Sequence, residues 1–157
     1  MAMDRNFKAL IEQLQPTLDQ LLGCPPLDIS KIPTKSKLAG VYLFSENEAP
    51  IYVGRTRNLR NRVKSHYNMT NPNMGSFAFL MACKTYGRKK AAYKKEGSRK
   101  QLHADPDFRK HLEKANKRIR AMTVKFVEIN DPIKQHLFEL YASMALDTTE
   151  FNQFDTH

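Results

Sequence analysis

Two short aliphatic-aromatic runs around a polar stretch constrain this chain more than anything else in it. Val41-Tyr-Leu-Phe44 and Ile51-Tyr-Val53 flank Ser45-Glu-Asn-Glu-Ala-Pro50, the pattern of a β-hairpin. Period-two alternation puts Val41, Leu43, Ile51 and Val53 on one face, and Tyr42 and Tyr52 on the other. With Ser45 to Ala49 as the loop, Phe44 faces Pro50 and Tyr42 faces Tyr52. Two phenols then stand side by side on one face of a sheet edge. Pro50, which cannot donate to the ladder, falls at the start of the second strand.

Downstream of Gly54 the composition turns basic: Arg55-Thr-Arg-Asn-Leu-Arg-Asn-Arg-Val-Lys-Ser-His66. Thr56 or Asn58 can cap a helix here. On it Leu59, Arg62, Val63 and His66 share one stripe. The apolar pair docks the helix, and Arg62 and His66 lie one turn apart on the same side. A cation on a docking edge needs an anionic partner, and a phosphate suits.

These residues resemble the GIY-YIG nuclease superfamily. Gly40-Val41-Tyr42 stands where that family has Gly-Ile-Tyr, and Tyr52-Val53-Gly54 where it has Tyr-Ile-Gly. Asn58-Leu59 followed by Arg62 matches the helix that carries the family's catalytic arginine. The family continues with a strand, a helix holding a metal-binding glutamate, and an asparagine. Val124-Lys-Phe-Val-Glu-Ile129 reads as the strand. Asp131-Pro132, an N-cap followed by a first-turn proline, opens a helix containing Glu139, and Phe151-Asn152 supplies the asparagine. The resemblance covers residues 38–66 and 121–154.

The net charge of +10 is unevenly placed. Residues 84–120 hold 14 Lys and Arg against 4 Asp and Glu, and residues 31–66 hold 8 against 2. Positive charge so concentrated beside a phosphodiester-chemistry motif implies a polyanionic partner, bound through phosphate neutralisation and counterion release. The expected partner is DNA, with RNA left open. The expected nucleic-acid contacts are Arg57, Arg60, Lys64, Lys89, Lys90, Lys94, Lys95 and Asn152, the last a residue that also suits fixing the backbone near the site. No apolar run is long enough for a membrane span and no leader pattern is present, so a cytoplasmic protein is expected. Cys24 and Cys83 lack metal-ligand spacing and suit two free thiols.

The expected fold class is α+β: a small three-stranded antiparallel sheet flanked by helices, in a single GIY-YIG-like domain over residues 1–157. Residues 1–37 form a helical extension, with Phe7, Leu10, Ile11, Leu14, Leu18, Leu21 and Leu22 at helical spacing and Pro16 interrupting them. Residues 38–66 carry the hairpin and arginine helix. Residues 67–120 form a basic helical insert, with an apolar helix at Phe77–Cys83 and a helix from Phe108 to Arg120 facing inward through Leu112, Ala115 and Ile119. Residues 121–157 carry the strand, the glutamate helix and Asn152. On the glutamate helix, Ile133, Leu137, Leu140 and Met144 are the expected core stripe.

Phosphodiester hydrolysis needs an activated water, stabilised phosphoryl oxygens and help for the leaving oxygen. The resemblance implies Glu139 as ligand to one divalent cation, Mg²⁺ or Mn²⁺. It implies Arg62 at the scissile phosphate, where a guanidinium matches the geometry. One motif tyrosine acts as general base and the other positions it. Tyr42 is favoured as base with Tyr52 supporting, though the two can exchange roles. Arg55 stands where the family often has lysine, keeping the charge but excluding any role for a neutral amine. His66 completes the candidate catalytic set. The resulting expectation is a metal-dependent endonuclease cleaving DNA, with a homodimer as one way to cut two strands. The competing expectation is a non-cleaving nucleic-acid-binding module on the same fold.

Overall fold

The computed structural model describes residues 2–32, 37–67, 76–87 and 98–152. Lys89, Lys90, Lys94 and Lys95 lie outside them. The chain groups into two compact units: Met1–Arg60 with Met122–His157, and Asn61–Ala121. The second contains all of the stretch expected as a basic insert.

The first unit is built on an antiparallel sheet in the order β1-β4-β2-β3. Its strands are β1 (Leu27–Asp28), β2 (Gly40–Glu46), β3 (Ala49–Thr56) and β4 (Thr123–Glu128). The α+β architecture is the one expected, with four strands among the described residues rather than three. The extra strand, β1, pairs only Leu27 with Val124 and Asp28 with Thr123.

The hairpin register corrects the one expected from the sequence. Asn47 and Glu48 both adopt positive φ, 49° and 67°, as a two-residue turn matched to strand twist requires. Glu46 therefore pairs with Ala49 and Ser45 with Pro50. A bulge follows, so Phe44 faces Tyr52 and Tyr42 faces Gly54. The bulge absorbs Ile51 and leaves both tyrosines on the face predicted for them, displaced by one pair along the ladder.

The opposite face carries the core of this unit. Val41, Leu43, Val53 and Val127 of the sheet pack with Leu14, Leu18 and Leu21 of α2 (Leu14–Gly23) and Phe138 and Ala142 of α7 (Pro132–Ala145). Gln13 separates α2 from α1 (Arg5–Glu12). Pro16 falls in the first turn of α2, where an absent N–H is tolerated. Asp131 caps α7 as expected, accepting from Ile133 N at 2.7 Å and Lys134 N at 3.1 Å. The inward face of α7 is not the expected one. Gln135, Phe138, Ala142 and Ser143 are buried, whereas Ile133, Leu140 and Met144 are 62%, 41% and 66% exposed. Only Leu137 of the expected stripe touches the core. Gln135 tolerates burial because its amide donates to Ile129 O at 2.6 Å.

The second unit is helical, and α3 (Leu59–Tyr67) runs into it. α4 (Ser76–Tyr86) packs on α6 (Pro106–Arg120), and α5 (Arg99–Ala104) also joins α6. Phe77, Leu112, Ala115 and Ile119 are buried as the sequence predicts. Phe108 joins them, its ring 5.3 Å from that of Phe79 and 5.4 Å from that of Tyr86. Asp105 caps α6 through Oδ1, which accepts from Asp107 N, while its Oδ2 accepts from the Tyr86 hydroxyl at 2.7 Å.

Candidate active site

The two glycine-tyrosine motifs interlock. Tyr42 and Gly54 are cross-strand partners, and the Tyr42 ring lies over Gly54. A Cβ on residue 54 would stand 2.8 Å from Tyr42 Cε2 and closer still to Cζ and the hydroxyl. The glycine of the second motif thus makes room for the tyrosine of the first. Gly40 has a comparable role, because a Cβ there would collide with the main chain of Val127 and Glu128. Tyr42, Phe44 and Tyr52 form a three-ring cluster, with centroids 5.7 Å apart for Tyr42–Phe44 and 6.3 Å for the other two pairs. Tyr42 is 0% exposed and Tyr52 8%.

Arg55 pairs with Val41 in the ladder, which directs it to the face covered by α7. There its Nε lies 3.0 Å from Glu139 Oε2. Glu139 thus reaches the sheet through Arg55, on the face opposite the tyrosine rings. Burial pushes the Glu139 carboxyl above the ordinary carboxylate range, and the Arg55 guanidinium opposes that shift. Its hard oxygens fit a divalent ion that takes one carboxylate and completes its shell with water and phosphate. Among the described residues no three His, Cys, Asp or Glu side chains converge, so a cation here would depend on Glu139 with non-protein oxygens.

Asn152 is held against β3. Its Oδ1 accepts from Val53 N at 3.0 Å and from the Thr148 hydroxyl at 3.0 Å, and its Nδ2 donates to Val53 O. It is buried, with its amide committed to the strand that carries Tyr52. The structure therefore gives it the backbone-fixing part of its expected roles. Thr148, also buried, is a supporting residue that sequence reasoning passed over. Its signal was the four-residue spacing of two polar side chains just beyond a helix.

In the second unit, Arg62 is half-buried and His66 fully buried. The His66 ring meets Phe77 edge-on, with centroids 6.0 Å apart and planes at 86°. Burial, assisted by the Arg62 charge, lowers its pKa to about 3, so the imidazole is neutral near pH 7. Of the expected nucleic-acid contacts, Arg57, Arg60 and Lys64 are exposed.

The family model for the GIY-YIG catalytic domain matches residues 38–111. That span holds Tyr42, Tyr52, Arg55, Arg62 and His66, while Glu139 and Asn152 lie beyond it. Two curated relatives share a shorter stretch. The UvrABC system protein C of Petrotoga mobilis is 44% identical over 46 residues, 29% of this chain and 8% of that protein. The UvrABC system protein C of Fusobacterium nucleatum subsp. nucleatum is 48% identical over 42 residues, 27% of this chain and 7% of that protein. The matched segment thus spans less than a tenth of either relative. No solved structure matches significantly.

Proposed function

We propose, for a chain that belongs to the GIY-YIG nuclease superfamily through residues 38–111, that it is a divalent-metal-dependent endonuclease hydrolysing DNA phosphodiester bonds. The observation that carries this reading is the mostly buried Glu139 carboxylate. α7 delivers it from far along the chain to Arg55, the residue directly after the Tyr52-Val53-Gly54 motif. A carboxylate removed from water beside a motif cation suits a cation site better than a solubilising role.

Glu139 would hold the ion, which when bound supplies charge stabilisation to the phosphoryl and leaving oxygens. The remaining steps belong to side chains. A phenol, with an unperturbed pKa of about 10, is a weak base at neutral pH, and it works best with water at hand and a cation nearby. Tyr52, the more exposed of the two, is the better placed to meet that water. Tyr42, seated on Gly54, then fixes the ring geometry, a division of roles opposite to the one favoured from sequence. Arg62 takes the phosphate, in the role the resemblance implies. Arg55 orients Glu139 and preserves the charge that burial would otherwise suppress. Neutral His66 suits a packing role on α3 better than proton donation.

Incubating the purified protein with supercoiled plasmid, with and without Mg²⁺ or Mn²⁺, tests the proposal. Metal-dependent nicking is expected. Intact plasmid under every condition, with DNA binding retained, would instead support a non-cleaving binding module.

A further inference from the structure

We propose that a cleft between α4 and α6, which uses none of the motif residues, takes one unstacked nucleotide of a nucleic-acid strand. The proposal rests on the nuclease reading, since it takes the polyanionic partner to be nucleic acid. The cleft has a volume of about 230 Å³ and is lined by Met81 and Thr85 of α4 and His111, Lys114, Ala115 and Arg118 of α6. That volume lies below the roughly 300–1,000 Å³ of pockets for drug-sized ligands, which suits one ring system rather than a larger molecule.

Floor and rim differ in chemistry. Met81 and Ala115 are buried and apolar, a surface on which a base can lie and a phosphate gains nothing. His111, Lys114 and Arg118 recur at i, i+3 and i+7 on one helix face. Lys114 and Arg118 are exposed, one a point charge and the other a planar fork suited to phosphate oxygens. His111 is held in place. The Thr85 hydroxyl donates to the main chain, 3.1 Å from Ala82 O and 3.3 Å from Met81 O. It is therefore left to accept from His111 Nδ1 at 2.9 Å. The Tyr86 ring stands edge-on to the imidazole, 5.5 Å away at 79°. Nε2 remains as the hydrogen-bonding atom that His111 can offer a ligand. A purely electrostatic grip would need the basic rim but no apolar floor, and a purely apolar groove would not be rimmed by three basic side chains. Together they match the base and phosphate of one nucleotide.

Fluorescence anisotropy tests this on the full-length protein, in EDTA to prevent cleavage. The probes are a short labelled deoxythymidine strand and an abasic strand of the same length and charge. Wild type is expected to bind the strand with bases about tenfold tighter, as withdrawing roughly 60 Å² of apolar base surface from water provides. Lys114→Gln with Arg118→Gln should weaken both strands and flatten the plot of log affinity against log salt by about 0.7 for each phosphate no longer neutralised. Ala115→Leu, which fills the floor, should erase the preference for bases and leave the salt slope alone. Should that variant fail to fold, the wild-type comparison of the two strands decides. Equal binding of the two strands by wild type overturns the proposal, as does an unchanged slope in the Lys114/Arg118 variant. Thymidine monophosphate binding as tightly as the strand would assign the cleft to a free nucleotide and overturn it too. If wild type nicks plasmid yet is indifferent to these changes, the subsite alone falls. If it binds no nucleic acid at all, both readings fall.

Discussion

His66 makes the stability of this protein sensitive to mild acid, by an amount the structure allows to be worked out. Its pKa falls from 6.5 to about 3 on folding, chiefly because burial disfavours the charged ring. Between those two values the unfolded chain binds a proton that the native chain does not, so stability falls as pH drops through that window. Lowering the pH from about 7.5 to about 5 protonates nearly all unfolded chains and almost no native ones. The expected loss is about 2 kcal/mol, a sizeable part of the roughly 5–15 kcal/mol that holds a domain folded. Urea unfolding followed by circular dichroism across this range measures it. Burial lowers the pKa of His103 as well, so the informative quantity is the difference between wild type and His66→Gln, whose amide stays neutral throughout. That difference should shift by about 2 kcal/mol between the two pH values. A difference constant with pH would refute the reasoning and place the ring in contact with water.

Gly54→Ala should destabilise by about 1–3 kcal/mol through overpacking against the buried Tyr42 ring. Adding Tyr42→Leu should recover thermal stability without recovering cleavage, and a neutral Gly54→Ala would show that the ring has room to move. Asn152→Ala should cost about 1–3 kcal/mol by leaving Val53 N–H and C=O without their partner, read as a lower urea midpoint. Glu139→Gln should abolish plasmid cleavage while leaving DNA affinity equal or tighter, since a negative charge near phosphate is gone. Loss of binding together with cleavage would mean that Glu139 holds the fold. Tyr52→Phe and Arg62→Ala should each slow cleavage by about a hundredfold or more, and either one cutting at the wild-type rate would remove that residue from the site.

Where a residue pattern left one physical solution, the sequence was enough. Alternation in β2 and β3 sorted the tyrosines from the valines, and the Asp131-Pro132 pair marked where α7 begins. The hairpin register was hidden because the turn is Asn47-Glu48 rather than Asn-Gly. Glutamate is a poor advertisement for positive φ, and the compensating bulge at Ile51 leaves no sequence mark. α7 offered two stripes, and the more apolar one lost. Ala142 and Ser143 allow close approach to the sheet, and Gln135 satisfies its amide internally, so the less hydrophobic face is the one that buries. The pairing of Arg55 with Glu139 depended on which sheet face α7 covers, which periodicity alone does not state. β1 is too short to show any alternation.

The grip of Asn152 on β3 has a consequence beyond holding the Tyr52 strand in place. β3 is an outer strand of the sheet, and an outer strand presents a row of main-chain donors and acceptors on which another chain can build. Val53 sits in the middle of that row, and both of its outward main-chain groups are occupied by one side-chain amide. A primary amide carries a donor and an acceptor in the same plane as a peptide bond, so Asn152 acts as a single-unit counterfeit of a neighbouring strand. It fills at Val53 the pairing that β3 would otherwise offer to another molecule, so no further strand can pair with the edge at that rung.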